Sequence, residues 1–266
     1  MCAANGLITE MLTPPADSTQ RFSTRVSNYA RFRPSYPSEV VDLLKRECGL
    51  SSNSAVADIA SGTGLFTRML LETGSQVFGV EPNPEMRAAG ERYLSKFSHF
   101  KSIDGTAEAT TLAGHSIDIV TAAQAAHWFD QTKASMEFLR ILKPGGWLVL
   151  LWNEPRKDAT PFLRAYEDLL IRYGSDYEKI RNERTNMRGE PFLSRSKSSE
   201  KTFEMIQQFD YAGLEGRLLS SSYAPQPGEP THEAMLQDLR LIFDQYQVDG
   251  KIRFEYDTRV FYGHMS

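Results

Sequence analysis

The pattern of apolar runs along this 266-residue chain predicts an α/β fold, a doubly wound, seven-stranded, mostly parallel sheet. Three observations carry that prediction. Short apolar runs alternate with helical patterns from Ala55 to Trp152, as they do in a parallel sheet covered by helices on both faces. A glycine pair, Gly62 and Gly64, follows the first run, where a strand turns tightly into a helix. An acid, Glu81, closes the second run about 20 positions further on, where sheets of this kind hold a ribose through its hydroxyls.

Taken in order, residues 1–18, with Pro14 and Pro15, read as a loose tail. A helical segment at 21–31 ends before Pro34, because a residue preceding proline avoids helical geometry. Ser38 is placed to cap a helix whose Val40, Val41, Leu44 and Cys48 share a face. Residues 55–60 form a buried strand, and 65–72 a helix closed by Gly74. A second strand spans 76–81. Asn83, Pro84 and Glu85 then start a helix with a cap, a first-turn proline and an acid suited to the dipole. A short strand near Phe100 and another at 117–122 follow. Asp130 caps a helix to 142, and 147–152 is the fifth strand. Beyond it, helices are predicted at about 159–173 and 200–209, around a polar, Arg-rich segment. A strand at 216–222, a helix at 231–247 and a last strand at 252–261 complete the pattern. The chain divides into a tail (1–18), a core (19–154), a helical cap inserted between strands five and six (155–205) and the remainder of the core sheet (206–266).

Composition narrows the function classes. With 41% hydrophobic residues the chain has ample material for a core. A net charge of −4 argues against a general nucleic-acid binder. The two cysteines, Cys2 and Cys48, have no metal-site spacing, and a reducing compartment fits them. No apolar run has the length of a membrane span, and the N-terminus lacks a signal-peptide pattern. The expectation is a soluble, cytoplasmic protein.

Two residues argue against a dinucleotide at the glycine loop. The G-x-G-x-x-G fingerprint needs glycine at position 67, where this chain has Thr67, and Asp58 is an anion poorly placed beside a pyrophosphate. S-adenosylmethionine fits better, having no phosphate but an ammonium and a sulfonium. Asp58 favours that charged end, and Glu81 accepts from both ribose hydroxyls. An NAD-type or nucleotide-sugar enzyme and a non-catalytic S-adenosylmethionine-binding module remain the alternatives.

Further motifs extend this set: Gly105-Thr106-Ala107-Glu108, the strand ending at Gln124, and Leu142-Lys143-Pro144-Gly145-Gly146-Trp147. With them the chain resembles the class I S-adenosylmethionine-dependent methyltransferases, in particular the type 11, trans-aconitate methyltransferase-like small-molecule group. The segment from Tyr29 to Pro37 looks like that family's cofactor-covering segment, and Ser220–Tyr223 with 256–262 look like its last strands. The resemblance implies a Rossmann-like sheet with an antiparallel last strand, S-adenosylmethionine as cofactor, and methyl transfer to a small molecule. Carried over by position, Asp58, Gly62 and Gly64 line the methionine moiety, Glu81 holds the ribose, and Ala107 frames the adenine. Ala60, Thr63, Pro82, Met86, Thr106, Glu108 and Gln124 complete the cofactor set. Thr106 stands where the family often has Asp, so the adenine amino group needs another acceptor, such as the Thr106 hydroxyl, Glu108 or a backbone carbonyl.

Methyl transfer asks little of the protein beyond positioning, which in ideal cases is worth effective molarities of about 10⁵–10⁸ M. A carboxylate acceptor needs no deprotonation, whereas a hydroxyl usually does. His127, just after the fourth strand, is the candidate base or acceptor-orienting group, with a packed histidine as the plain reading. Trp128, Trp152, Asn153 and Tyr223 are the candidate substrate contacts. Arg33 is placed to pair with the cofactor carboxylate, and Tyr29 to close over the methionine chain. The basic excess between Arg172 and Lys197 admits an anionic acceptor, although a solvated helix pair has the same composition.

Overall fold

The computed structural model describes residues 33–179, 192–193 and 198–265. Tyr29, the tail at 1–18 and the helix expected at 21–31 lie outside the described residues. The strands are β1 (Ala55–Ile59), β2 (Gln76–Val80), β3 (Phe100–Ile103), β4 (Ile117–Ala123), β5 (Leu142–Pro155), β6 (Ser198–Phe209) and β7 (Ile252–His264). They form one sheet in the order β3-β2-β1-β4-β5-β7-β6. Neighbours among the first five pair parallel. β7 runs antiparallel to both β5 and β6. The predicted fold class holds: six strands point one way and the last strand opposes them.

Helices α1 (Ser38–Cys48), α2 (Leu65–Leu71), α3 (Pro84–Leu94) and α4 (Gln131–Ile141) accompany the parallel strands. Because successive strand side chains point to opposite faces, β5 feeds two cores at once. Leu148, Leu150 and Trp152 pack with Phe138 and Ile141 of α4, whereas Val149 and Leu151 pack with Val40, Leu44, Phe66 and Leu70 of α1 and α2. Two predicted caps are in place. Asn83 Oδ1 accepts from the Met86 amide at 2.8 Å, and Asp130 Oδ1 from the Lys133 amide at 3.1 Å. Ser38 is a correction. Pro37 takes the cap position of α1, and the Ser38 hydroxyl turns to Glu39 at 3.2 Å. Proline's fixed φ suits entry into a helix, so α1 starts one residue early.

Two further corrections lie beyond β5. Residues 200–209, expected as helix, belong to β6. Its apolar spacing (Phe203, Met205, Ile206, Phe209) satisfies a helical template as well as an alternating one, and twelve residues of pairing with β7 decide for the strand. Residues 216–222, expected as strand, fall in α6 (Tyr211–Leu219) and the turn after it. Gly213 and Gly216 depress helix propensity there. The helix forms because Asp210 Oδ1 caps the Gly213 amide at 2.8 Å and because Leu214 and Leu218 are fully buried. Ser220–Tyr223, expected in a last strand, therefore sits in that turn.

The helical cap is built from two insertions. Helix α5 (Pro161–Tyr173), between β5 and β6, packs on α7 (His232–Tyr246), between β6 and β7. A third core joins Phe162, Tyr166 and Leu170 of α5 to Leu214, Leu239, Phe254 and Tyr256. Among the described residues no helix is long and apolar enough to cross a membrane.

Candidate cofactor and acceptor site

At the carboxyl end of β1 the chain breaks into Ala60-Ser61-Gly62-Thr63-Gly64 before α2. Gly62 and Gly64 have φ of +57° and +84°. Crowding adds to that demand. A Cβ at Gly64 would lie 2.7 Å from Leu94 Cδ1, and one at Gly62 would lie 3.3 Å from Met86 Cε. Ala60 and Gln124, at the ends of adjacent strands β1 and β4, also hold positive φ, +54° and +62°. A non-glycine residue rarely adopts this region, and two flanking one crevice mark a site held against backbone strain.

Asp58 is buried under α2, with its carboxylate held from two sides. Thr67 Oγ1 donates to Oδ2 at 2.6 Å, and Thr121 Oγ1 donates to Oδ1 at 2.8 Å. Burial pushes its carboxyl up to about 6, while the two hydroxyls hold it down. Thr67, which the sequence offered only as a missing glycine, is thus the residue that keeps an anion in place. Glu81 is also buried. Gly62 N donates to Oε2 and Asn83 N to Oε1, each at 2.9 Å. Burial raises its pKa, and those two amides and Arg87 oppose the rise. Each Glu81 oxygen spends one lone pair on a backbone amide and keeps another.

The residues expected on the adenine side follow the glycine loop in the chain. Met86 and Ala107 are buried apolar surface. The Pro82 carbonyl accepts from Arg87 at 3.3 Å. Thr106 forms a small bridge with Ala109. Glu108 accepts the Asp130 amide at 2.9 Å, which ties it to the start of α4.

A cavity of about 440 Å³ opens from this edge toward the cap. Asp58, Ala60, Gly62, Thr63 and Gln124 line one end; Tyr166, Tyr177, Arg217, Tyr223, Phe254 and Tyr256 line the other. Arg33, Trp152 and Asn153 are also in its wall. Asn153 is a joint more than a contact. Its Nδ2 donates to the Ser35 carbonyl at 2.9 Å, and its Oδ1 accepts from Thr258 Oγ1 at 2.6 Å. Arg33 Nη2 donates to the Ser220 carbonyl at 3.1 Å. His127 and Trp128 sit on a short 3₁₀ turn, ring centroids 4.7 Å apart, and are not among the described residues lining the cavity. Nor are Glu81, Gly64 and the adenine-side residues.

Sequence reasoning missed Thr67, Thr121, Tyr166, Arg217 and Tyr256. A hydroxyl one helical turn inside α2, facing a strand that ends in an acid, was a readable signal for Thr67. Arg217 had none, because its segment was read as a strand.

An open, doubly wound sheet with acids closing its first two strands around a glycine turn defines a nucleoside-cofactor protein of the methyltransferase type. Comparison with known proteins agrees. Residues 57–150 match the family model described as a methyltransferase domain. A methyltransferase-like protein of Schizosaccharomyces pombe, itself uncharacterized, is 34% identical over 156 residues, 58% of this chain and 59% of that protein. An uncharacterized methyltransferase of Mycobacterium tuberculosis is 37% identical over 162 residues, 59% of this chain and 62% of that protein. The match thus spans about three fifths of the length of these curated relatives. Two solved structures share the fold. A protein assigned as a type II methyltransferase from Anaeromyxobacter dehalogenans has TM-score 0.63 at 21% identity, covering 88% of this chain and 98% of that one. Haemonchus contortus phosphoethanolamine N-methyltransferase 2, in complex with S-adenosylmethionine, has TM-score 0.55 at 17% identity, covering 94% of this chain and 58% of that one. Residues 57–150 match a methyltransferase domain, and with these relatives and fold neighbours the chain is similar to the class I S-adenosylmethionine-dependent methyltransferases. The residues present fit such a cofactor: a buried carboxylate beside the glycine turn, a second lone pair on each Glu81 oxygen, and Gly64 at a positive φ with Leu94 close by.

Proposed function

We propose that the protein transfers a methyl group from S-adenosylmethionine to a small molecule held in the cap-side cavity, at a carboxylate or hydroxyl oxygen. One observation carries the reading. The cavity that begins at Asp58 and Gly62 continues into aromatic space beneath the cap, so cofactor and acceptor share one enclosure. The alternative of a blocked, non-catalytic module loses support from that open volume. When bound, the cofactor supplies a methyl on a sulfonium, whose carbon–sulfur pair returns to sulfur as the bond to the acceptor oxygen forms. Asp58 offsets the positive charge of the methionine end, and Glu81 holds the ribose. Met86 and Ala107 border the adenine with Thr106, Pro82 and Glu108. Arg33 serves the cofactor carboxylate or the cavity wall.

The acceptor side follows from the same enclosure. Lys157, Leu163, Tyr166 and Tyr177, from the 155–205 segment, line it, which supports a lid that sets specificity and excludes water. A carboxylate acceptor needs no base; for a hydroxyl, a proton must leave. His127 packs on Trp128 off the cavity lining, which favours an acceptor that needs none. A cytoplasmic location fits the absence of any membrane-crossing helix among the described residues.

Calorimetric titration tests the reading. S-adenosylmethionine and S-adenosylhomocysteine are expected to bind saturably and NAD and NADP not at all. Folded protein that ignores the first pair sinks it.

A further inference from the structure

At the cap end of the cavity lies a buried cation with no anion beside it among the described residues. Arg217 of α6 is only 5% exposed. Its Nε donates to the Tyr256 hydroxyl at 2.7 Å, and its Nη1 is buried without a hydrogen-bond partner. The guanidinium carbon sits 4.4 Å from the centre of the Phe254 ring, with the Tyr256 and Tyr166 rings at 5.6 and 5.9 Å. Burial works against its charge; Tyr256, Tyr166 and Tyr223 favour it, and no carboxylate among the described residues contributes. Of the four acids that line the same cavity, Asp158 is exposed to solvent and the other three are occupied elsewhere. Glu167 pairs with Lys157 at 3.3 Å, Glu154 with Arg259 at 3.5 Å, and Asp58 with its two threonines.

A second orphan stands beside it. The Tyr166 hydroxyl is buried with no partner, on the same lining. Structural arginines at this depth are paired, because an isolated buried charge is strongly disfavoured. Stacking on aromatic faces offsets part of that cost and leaves the Nη1 end of the fork unused. A planar, two-oxygen anion is what such a fork accepts.

We propose, resting on the methyltransferase reading above, that Arg217 is the anchoring residue for a carboxylate of the acceptor, assisted by the Tyr166 hydroxyl and oriented by Tyr256. The anchored group is not the one methylated. Tyr256 pairs with Pro155, five residues along β5 from Leu150, which shares its row with Ile59 at the end of β1. Five strand residues span about 16 Å of β5 backbone, which sets Tyr256 well beyond the row in which β1 ends. A carboxylate gripped by a guanidinium is also a poorer nucleophile. The acceptor class is therefore a bifunctional small acid, with one carboxylate at Arg217 and a second carboxylate or a hydroxyl reaching toward the glycine loop.

The test is calorimetric titration of the S-adenosylhomocysteine-loaded protein with a panel of mono- and dicarboxylates of two to eight carbons. Each is run beside its primary amide, with methyl phosphate alongside. At least one dicarboxylate or hydroxy acid is expected to outbind its amide tenfold or more. Arg217→Gln should abolish that preference while S-adenosylhomocysteine affinity stays within twofold, and Arg217→Lys should restore part of it. Tyr256→Phe, which removes only the orienting hydroxyl, should weaken the carboxylate several-fold and covers the case in which Arg217→Gln does not fold. A panel in which no carboxylate outbinds its amide overturns the proposal, as does a phosphate preferred over every carboxylate or a preference that survives Arg217→Gln. Failure of the wild-type protein to bind S-adenosylhomocysteine at all would instead defeat the methyltransferase reading.

Discussion

The sheet side and the cap side of the site treat buried charge in opposite ways. At the sheet end, Asp58 and Glu81 are buried acids, each given two hydrogen bonds by neighbouring threonines or backbone amides. At the cap end, Arg217 is a buried base given one hydroxyl and a bed of aromatic rings. The first arrangement is finished by the protein itself and only has to receive a ligand with the right dipoles. The second is incomplete in the protein alone. On the proposed reading, cofactor recognition rests on preformed geometry and acceptor recognition on supplying a missing charge.

The strongest way to break the first half of that contrast is Glu81→Ala. Two charge-assisted bonds to the ribose disappear and two loop amides lose their acceptor, so S-adenosylmethionine affinity should fall by about 100-fold in calorimetry. Next is Thr67→Val, which leaves the buried Asp58 with one donor. Urea denaturation should show a loss of about 2 kcal/mol. The same variant should move the Asp58 carboxyl further up, since the lost hydroxyl was holding it down.

A pH series sharpens the contrast. Asp58 titrates near 6 in the fold, above its ordinary value, so the fold favours the neutral acid. The stability this contributes is complete below about pH 4 and is lost as pH rises through 6. The cationic cofactor prefers the opposite, ionised form. Affinity for S-adenosylmethionine should accordingly rise about tenfold from pH 5 to pH 7. A flat profile would mean that Asp58 does not face the methionine end.

Smaller effects probe the joints. Asn153→Ala unties the Ser35 segment from β5 and β7. It should cost about 1 kcal/mol in stability and raise the acceptor KM more than it lowers kcat. Arg172→Ala should change almost nothing, about 0.5 kcal/mol at most in a melt, because its ion pair with Asp238 is 67% exposed on the arginine side. An acceptor KM raised by Arg172→Ala would return the anion site to the cap's surface cations.

The same contrast explains what the sequence made legible. The cofactor end was readable because its parts are consecutive: an acid, a glycine turn, and a second acid one strand later. Even there, Thr67 was weighed only for the glycine it replaces, although its hydroxyl is what holds Asp58. The cap end was illegible because Tyr166, Arg217 and the Phe254–Tyr256 pair come from three separated stretches that meet only in the fold. Its local signals also misled. Gly213 and Gly216 masked α6, and the edge strand β6, with one face in solvent and Ile206 exposed, offered a spacing that fits a helix too. Where packing against a partner chooses the conformation, local spacing cannot.

The place of β7 in the sheet has a consequence for how this protein is made. Among the described residues, all of the pairing of β6 comes from β7, which is translated after it and inserts between β5 and β6. On a ribosome, β1 to β5 leave the tunnel and can settle while β6 waits with both edges open until residues 252–264 emerge. An unpaired twelve-residue edge invites neighbouring nascent chains. The hazard of misassembly is thus concentrated in the interval between the synthesis of residues 198 and 264, long after the cofactor crevice is complete.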